Sequence, residues 1–457
     1  EQDMTMIGLV VGLQFALIVI GVFVARAAIT TARTPQGAAA WVVFLISFPL
    51  LALPAFALFG GVSRLTSRTD GYNVQAPAEP AQGRLESLAS LAANSPADGN
   101  SATLLVDGQV TFEAIFAAID AAEHEILVQY YIIRSDAVGD GLKEHLIQAA
   151  RRGVKVRVLC DKIGSLFLGE RYVRALQTEG IEIRGIPGPH RALGRIGVNF
   201  RNHRKAVVVD GSIGFTGGIN VGQEYIDGGK KFRSWRDTHL RIKGPMVRQL
   251  RDIFAFDWKA VTGDRLPSLH LETPPDCPGR VRGLVTGFGP TDHLERGSLL
   301  LCGLVNLARH RLWLTTPYLI PHTDLLTVLQ LASMRGVDVR ILIPGPSDNV
   351  IAWYASRHAA RILAEAGVRV FVYEPGFMHS KVMLIDDDIA SIGTVNLDIR
   401  SALLNFEETA LIEDQAFAAD VAAMLEEDFS KSEPVALPGP WHVRLLAPVA
   451  RLFGPVL

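Results

Sequence analysis

From Met4 to Ala25 the chain carries no charged side chain ("MTMIGLVVGLQFALIVIGVFVA"), and none occurs between Arg33 and Arg64, a stretch that includes "AWVVFLISFPLLALPAFALFGG". At 1.5 Å of helix rise per residue, each run can cross a hydrocarbon layer of about 30 Å. The pattern therefore predicts two membrane-spanning helices within residues 1–70. A cleaved leader fits the first run less well, because its charged start is acidic and its apolar stretch is long for a leader. Pro49 and Pro54 should kink the second helix. Arg26 and Arg33 fall between the runs and Arg64 and Arg68 after them, a weak lean toward a cytoplasmic main body.

Beyond residue 70 the pattern changes twice. Residues 71–102 are rich in Ala, Pro, Ser and Asn and read as a linker. From 103 onward, strand-like runs ("EILVQYYII", "VKVRVLC") alternate with runs of helical spacing ("VTFEAIFAAIDAA", "LKEHLIQAARRG"), which is an α/β layout. A Pro-rich break at 266–279 is followed by a second set, in which "LLTVLQLASMRGVDVRILIP" repeats the order of "HLIQAARRGVKVRVLCD". The expected organisation is two copies of one α/β unit, 103–265 and 280–430. A tail at 431–457 mixes Trp441, Arg444, Arg451 and Phe453 with aliphatic residues, a composition that suits a membrane interface.

Composition narrows the function classes. A hydrophobic share of 49% over 457 residues is high for a soluble enzyme, and a net charge of -2 gives no overall electrostatic footprint for nucleic acid. Three cysteines, Cys160, Cys277 and Cys302, are too few and too scattered for a disulfide framework or a zinc cluster and read as buried thiols.

The candidate chemistry lies in a sentence that occurs twice. "FRNHRKAVVVDGSIGFTGGIN" and "FMHSKVMLIDDDIASIGTVN" each give His, Lys two residues later, Asp five further, a pair of small residues, and Asn 17 residues after His. Residues two apart on a strand share a face, so His203 projects with Lys205 and His379 with Lys381. Each stretch reads as a β-hairpin, turning at Asp210 and Asp386. Folding back brings Gly217, Gly218 and Asn220 beside the first pair, and Gly393, Thr394 and Asn396 beside the second. The two aspartates complete the repeated set of site residues, and their place is the turn. Two His, two Lys and two Asn converging on one pocket suit a phosphodiester. One neutral imidazole can attack phosphorus while the other, protonated, donates to the leaving oxygen. Lys and Asn would hold the nonbridging oxygens, and the small residues would let phosphate approach. This chemistry requires no metal and no cofactor, and Lys is not a usual zinc ligand.

These paired motifs resemble those of the phospholipase D superfamily, over residues 103 to 430. Within it, "TGGINVGQEYI", "WRDTHLRIKGP" and "NLDIRSALLNFE", together with two amino-terminal apolar segments, look like the bacterial cardiolipin synthase family. The resemblance implies two α/β units, each a mixed sheet flanked by helices, related by a pseudo-twofold with the motifs at the axis. It also implies a multi-pass enzyme of the bacterial inner membrane that moves a phosphatidyl group between two phosphatidylglycerol molecules, giving cardiolipin and glycerol through a phosphatidyl-histidine. By the same analogy His203 is the nucleophile and His379 the acid and base. A downstream carboxylate should hold each ring: Glu407 for His379 and Asp237 for His203, with Glu224 competing with Asp237. The alternatives are a membrane-bound hydrolase, a transferase using another alcohol, and a metal-independent nuclease. No basic, aromatic-lined groove for nucleic acid stands out.

Overall fold

A computed structural model describes residues 2–32, 35–60, 81–186, 200–267, 279–292 and 294–456. The chain forms two units, residues 1–71 with 188–200, and residues 72–187 with 201–457.

In the first unit, Gln2–Thr31 is one helix of 30 residues. It packs closely on the next helix, since a Cβ at Gly21 would stand 2.5 Å from the Leu45 carbonyl oxygen. The second predicted span is not one helix. It breaks at Phe48 into Pro35–Ser47 and Pro49–Phe59, because a proline at the first helical position starts a new helix and cannot continue the old hydrogen-bond ladder. Segments of 13 and 11 residues are shorter than the roughly 20 that a hydrocarbon core needs. Among the described residues no helix is long and apolar enough to cross a membrane, so the two expected spans are not found there.

The second unit is built on one long sheet. In the first half, Glu125–Tyr130, Lys155–Asp161 and Glu182–Ile186 run parallel. Glu125–Tyr130 then pairs antiparallel with Ala206–Val209, which leads through Ile213–Gly217 and Thr238–Lys243 to Ala97–Val106. The second half repeats this order with Arg311–Thr315, Asp338–Pro344 and Arg369–Tyr373, then Val382–Ile385, Ile389–Gly393, Asn405–Glu413 and Val281–Phe288. Ala97–Val106 and Val281–Phe288 pair with each other, fusing the two mixed sheets edge to edge. The two halves thus repeat one strand order, and both lie within a single compact unit.

Local chemistry explains the repeat. The helices Ala137–Arg151 and Thr323–Met334 both end at a glycine in the left-handed region, Gly153 at φ 94° and Gly336 at φ 88°. A valine then enters the next parallel strand, the arrangement expected where only glycine takes the C-terminal turn without strain. Helices Met246–Thr262 and Gln415–Ser430 cover one face of the joined sheet. The core beneath them draws on both halves, with Leu127, Val208 and Leu240 meeting Leu384, Ile392 and Ile412.

Two stretches differ from the sequence reading. Residues 71–80 of the expected linker lie outside the described residues, but 81–102 is structured: helix Glu86–Ala92 buries Leu88 and Ala92, and the first strand begins at Ala97. Its Ala- and Ser-rich composition hid a short apolar stripe. The expected linker at 266–279 lies almost wholly outside the described residues. The tail is packed: Ser432–Pro434 adds a strand beside Arg369–Tyr373, and helix Trp441–Ala450 carries Pro448 within it and buries Ala447 and Ala450, the latter among Ile320, Ala352 and Ala355.

Candidate active site

Two short pairings decide how the site is assembled. Arg201–Asn202, just before His203, runs parallel to Asn405–Phe406, just before Glu407. Phe377–Met378, just before His379, runs parallel to Trp235–Arg236, just before Asp237. Each histidine main-chain N–H closes its pairing, His203 to the Phe406 carbonyl at 2.8 Å and His379 to the Arg236 carbonyl at 2.8 Å. Every imidazole is thereby delivered beside a carboxylate of the opposite half.

The hydrogen bonds follow. His203 Nδ1 stands 2.9 and 3.1 Å from the two Glu407 oxygens, and His379 Nδ1 stands 2.6 Å from Asp237 Oδ2. The partners expected from sequence are thus exchanged: Glu407 serves His203 and Asp237 serves His379. Glu224 serves neither, being bound to Arg134 at the cavity wall, 2.5 Å away. Glu407 also accepts from the Asn405 amide at 3.0 Å and from the Thr394 hydroxyl, while Asp237 accepts from the Thr238 N–H at 2.8 Å.

Both imidazoles line a single cavity of about 970 Å³, with Asn220, Asn396, Tyr131, Tyr225 and Trp235 also in its wall. Tyr131 meets the His203 ring edge-on at 5.1 Å, whereas Trp235, Phe377 and Tyr225 surround His379 at 5.2, 5.6 and 6.0 Å. These aromatics and Thr394's bond to Glu407 escaped the sequence reading, since nothing local marks them. The pairings do, because "FRN" and "FM" precede the two histidines by the length of one short strand.

Other predicted residues take different places. Lys205 and Lys381 are buried behind the rings and do not reach the cavity wall; each ammonium donates to the main-chain oxygen of its own histidine, Lys205 at 2.7 Å. Lys381 also stands 2.8 Å from His379 Nδ1. Asn220 is engaged, accepting from Ile132 N–H and donating to the Tyr225 hydroxyl, and the Asn396 amide bonds Asp398. The small residues do not meet the cavity. A Cβ on Gly218 would come within 2.0 Å of Asp237 Oδ1, and one on Gly393 within 2.4 Å of the Glu408 carbonyl oxygen. Gly217 is likewise closed in by Thr238 and His239. Their smallness makes room for the orienting carboxylate strands and not for phosphate.

Asp210 and Asp386 are architectural, as their turn positions suggested, and do not touch the cavity. Both are left-handed, at φ 49° and 52°. The Asp210 carboxylate accepts from the N–H groups of Glu123, His124 and Glu125, and Asp386 from those of Arg309, His310 and Arg311. Each ties its hairpin to the start of the neighbouring strand.

Burial sets the protonation pattern. It pushes both imidazoles below the ordinary histidine value of 6.5, with Lys205 reinforcing this at His203 against the pull of Glu407; His379, with Lys381 beside it, falls to about 4. Burial likewise lowers Lys205 to about 7 and Lys381 to about 8. Burial works to raise Asp237 and Glu407, but Lys381 and His379 in the first case and His203 in the second hold both below the usual carboxylate range. Behind Lys205, burial lifts Glu408 to about 7, where it accepts from the Lys205 N–H and the Thr216 hydroxyl. The site thus offers neutral rings backed by carboxylates and by lysines that titrate near neutrality, an environment that a bound phosphate would recharge.

Residues 115–258 and 301–430 match the family described as cardiolipin synthase, PLD-like domain. The chain is 40% identical to cardiolipin synthase A of Pseudomonas aeruginosa strain LESB58, across 98% of this chain and 96% of that protein. It is 38% identical to cardiolipin synthase A of Pseudomonas putida KT2440, across 96% of both. Among solved structures, the phosphatidylserine synthase of Haemophilus influenzae superposes with a TM-score of 0.60 at 16% identity, covering 78% of this chain and 95% of the other. A polyphosphate kinase of Porphyromonas gingivalis shares the fold at a TM-score of 0.51, with 14% identity over 81% of this chain and 52% of its own.

Proposed function

Because the chain belongs to the cardiolipin synthase, PLD-like family, we propose that it is a phosphatidyltransferase that joins two phosphatidylglycerol molecules into cardiolipin and releases glycerol. The observation that carries this reading is the crossed pair His203–Glu407 and His379–Asp237 on one cavity. With each Nδ1 held by a carboxylate, each ring keeps Nε2 for reaction, and imidazolium is stabilised when it forms.

In the first step His203 Nε2 attacks the donor phosphorus. The P–O bond to the headgroup glycerol breaks, and His379, which takes up a proton as the anionic phosphodiester binds beside it, supplies the proton that glycerol carries away. In the second step the terminal hydroxyl of another phosphatidylglycerol attacks the phosphatidyl-histidine and gives its proton back to His379. The P–N bond breaks, and its electron pair returns to His203. One phosphodiester replaces another, so the exchange needs no nucleotide. Lys205 and Lys381 stabilise the charge that builds on the nonbridging oxygens, swinging off the histidine carbonyls as phosphate enters. Closeness of two reacting groups to one substrate atom supplies much of the rate.

A bilayer setting suits a substrate with two acyl chains. In the first unit, Phe15, Phe23, Val43, Leu50 and Leu51 are exposed, an apolar exterior that water does not favour but lipid does. On the body, helix Trp441–Ala450 exposes Trp441, Leu445 and Val449 beside Arg444, a face suited to the interface of an anionic membrane.

The test is incubation of the detergent-purified protein with labelled phosphatidylglycerol, without nucleotide or added metal. Cardiolipin and free glycerol in equal amounts are expected. Phosphatidic acid as the only lipid product would replace the transferase by a hydrolase.

A further inference from the structure

Among the described residues, the most exposed large apolar side chain stands on a turn that backs the catalytic cavity. It is Phe167, 80% exposed, and Leu166 at 67% and Ile163 at 48% share the turn with it. The turn joins strand Lys155–Asp161 to helix Glu170–Thr178. Single exposed apolar residues on a loose loop are ordinary. This turn is pinned. Asp161 is buried and accepts from the N–H groups of Ile163 and Gly164, both at 2.9 Å, while its carbonyl accepts from Ser165 N–H at 2.9 Å. Leu168 N–H donates to the Ser165 carbonyl at 3.0 Å, and the Leu168 side chain packs on the core of the first half.

The base of the turn is fastened to the cavity wall. The Ser165 hydroxyl donates to the Tyr131 carbonyl at 3.1 Å and accepts from Ile133 N–H at 3.0 Å. A Cβ on Gly164 would stand 2.3 Å from that same Tyr131 carbonyl oxygen. The Tyr131 ring lines the cavity and meets His203 edge-on at 5.1 Å. The fold therefore holds three apolar side chains outward at a fixed place beside the nucleophile, which is unfavourable in water unless something apolar receives them.

Size and charge say what receives them. Three side chains of one turn fall far short of the roughly 800 Å² that each partner gives to a stable protein interface. The charges around them are mostly positive. Lys162 is exposed within the turn, and Lys230 and Lys231 are exposed in the wall of the same cavity. Of the flanking acids, Asp161 is spent inside the turn and Glu170 is paired with Arg174 at 2.6 Å. An apolar tip with cations beside it complements an anionic lipid surface.

We propose that Ile163, Leu166 and Phe167 form an insertion tip that enters the acyl region of an anionic bilayer and seats the mouth of the catalytic cavity at the headgroups. The use of such a tip rests on the phosphatidyl-transfer reading. A diacyl substrate drawn wholly into water would expose both chains, whereas a cavity brought to the headgroup layer takes in the phosphodiester and leaves the chains in lipid.

Two readouts test it on the full chain reconstituted in phosphatidylglycerol vesicles. In the first, Phe167→Cys carries a polarity-sensitive thiol dye, and the parent treated with the same dye corrects for the native cysteines. Quenching by lipids brominated along their acyl chains is expected, with little quenching by iodide in the water. Quenching by iodide alone would leave the tip in water, and shielding from both would put it against a second copy of the chain; either overturns the proposal. In the second, the Leu166→Ser, Phe167→Ser double variant and the parent receive phosphatidylglycerol as long-chain lipid within the vesicles, or as a short-chain, water-soluble form added to phosphatidylcholine vesicles. The double variant should lose about tenfold or more in kcat/KM on the long-chain lipid and stay within about twofold on the soluble one, and Phe167→Trp should keep the long-chain rate. Equal losses on both substrates would mean that the turn only supports Tyr131. If the parent makes cardiolipin from neither substrate, the functional reading fails, and the dye still decides where the tip lies.

Discussion

Glu407 belongs to the second half of the chain and holds His203 of the first, with 2.9 Å between Nδ1 and Oε2. If His203 is the nucleophile, Glu407→Gln should slow formation of the covalent intermediate by a factor of about 10² to 10⁴, the range for losing a carboxylate behind a catalytic imidazole. Asp237→Asn should instead weaken proton delivery. A phosphodiester with an activated leaving group, one that departs without a proton, separates the two. With it, Asp237→Asn keeps a burst of leaving group and Glu407→Gln loses it. The opposite pattern would assign the nucleophile to His379.

This exchange of partners marks where the sequence stops being informative. The repeated hairpins were legible because their spacing is covalent: His203, Lys205 and Asp210 must sit as they do once two strands and a turn form. The partner of each ring is set by strands of two residues, Arg201–Asn202 and Phe377–Met378, too short to leave a periodic signal. Along the chain Asp237 follows His203 and Glu407 follows His379, which made the uncrossed pairing look natural. The break at Phe48 was half visible, since Pro49 was seen but read as a kink. The strand beginning at Ala97 was hidden by residues that elsewhere mark loops.

Gly218 is a second consequence of the crossed design. A methyl group there would stand 2.0 Å from Asp237 Oδ1, so Gly218→Ala must displace the carboxylate or the strand that bears it. We expect a folded protein whose kcat falls about as far as that of Asp237→Asn, because both leave His379 without its orienting group. The KM for phosphatidylglycerol should change little. A large rise in KM with kcat intact would instead mean that the glycine faces the substrate.

The two motif aspartates should respond differently from the histidines. Asp386 satisfies the N–H groups of Arg309, His310 and Arg311 and pairs with Arg84 at 2.6 Å. Asp386→Ala strands these donors, and at about 1–3 kcal/mol for a buried group left unsatisfied the loss of stability should reach about 2–4 kcal/mol. Denaturant unfolding measures it. Activity per folded molecule should stay within a few-fold of the parent, whereas a loss comparable with His379→Ala at unchanged stability would place Asp386 in the chemistry.

The pH dependence follows from burial. His203 lies below 6.5 in the free enzyme, so the nucleophile is already neutral at that pH, and the acid limb of kcat/KM should fall below it. Lys205 at about 7 and Lys381 at about 8 lose their protons as pH rises, removing the positive charge that draws the phosphodiester, so the alkaline limb should lie between those values. A bound phosphodiester is anionic and favours the protonated lysines. Their loss of protons must then occur at higher pH in the complex, and the alkaline limb of kcat should lie above that of kcat/KM. The displacement should shrink in Lys205→Met, which removes the group of lower value. Coincident alkaline limbs in the parent protein would mean that neither lysine meets the phosphate, and that the contacts holding both ammoniums on their histidine carbonyls persist through turnover.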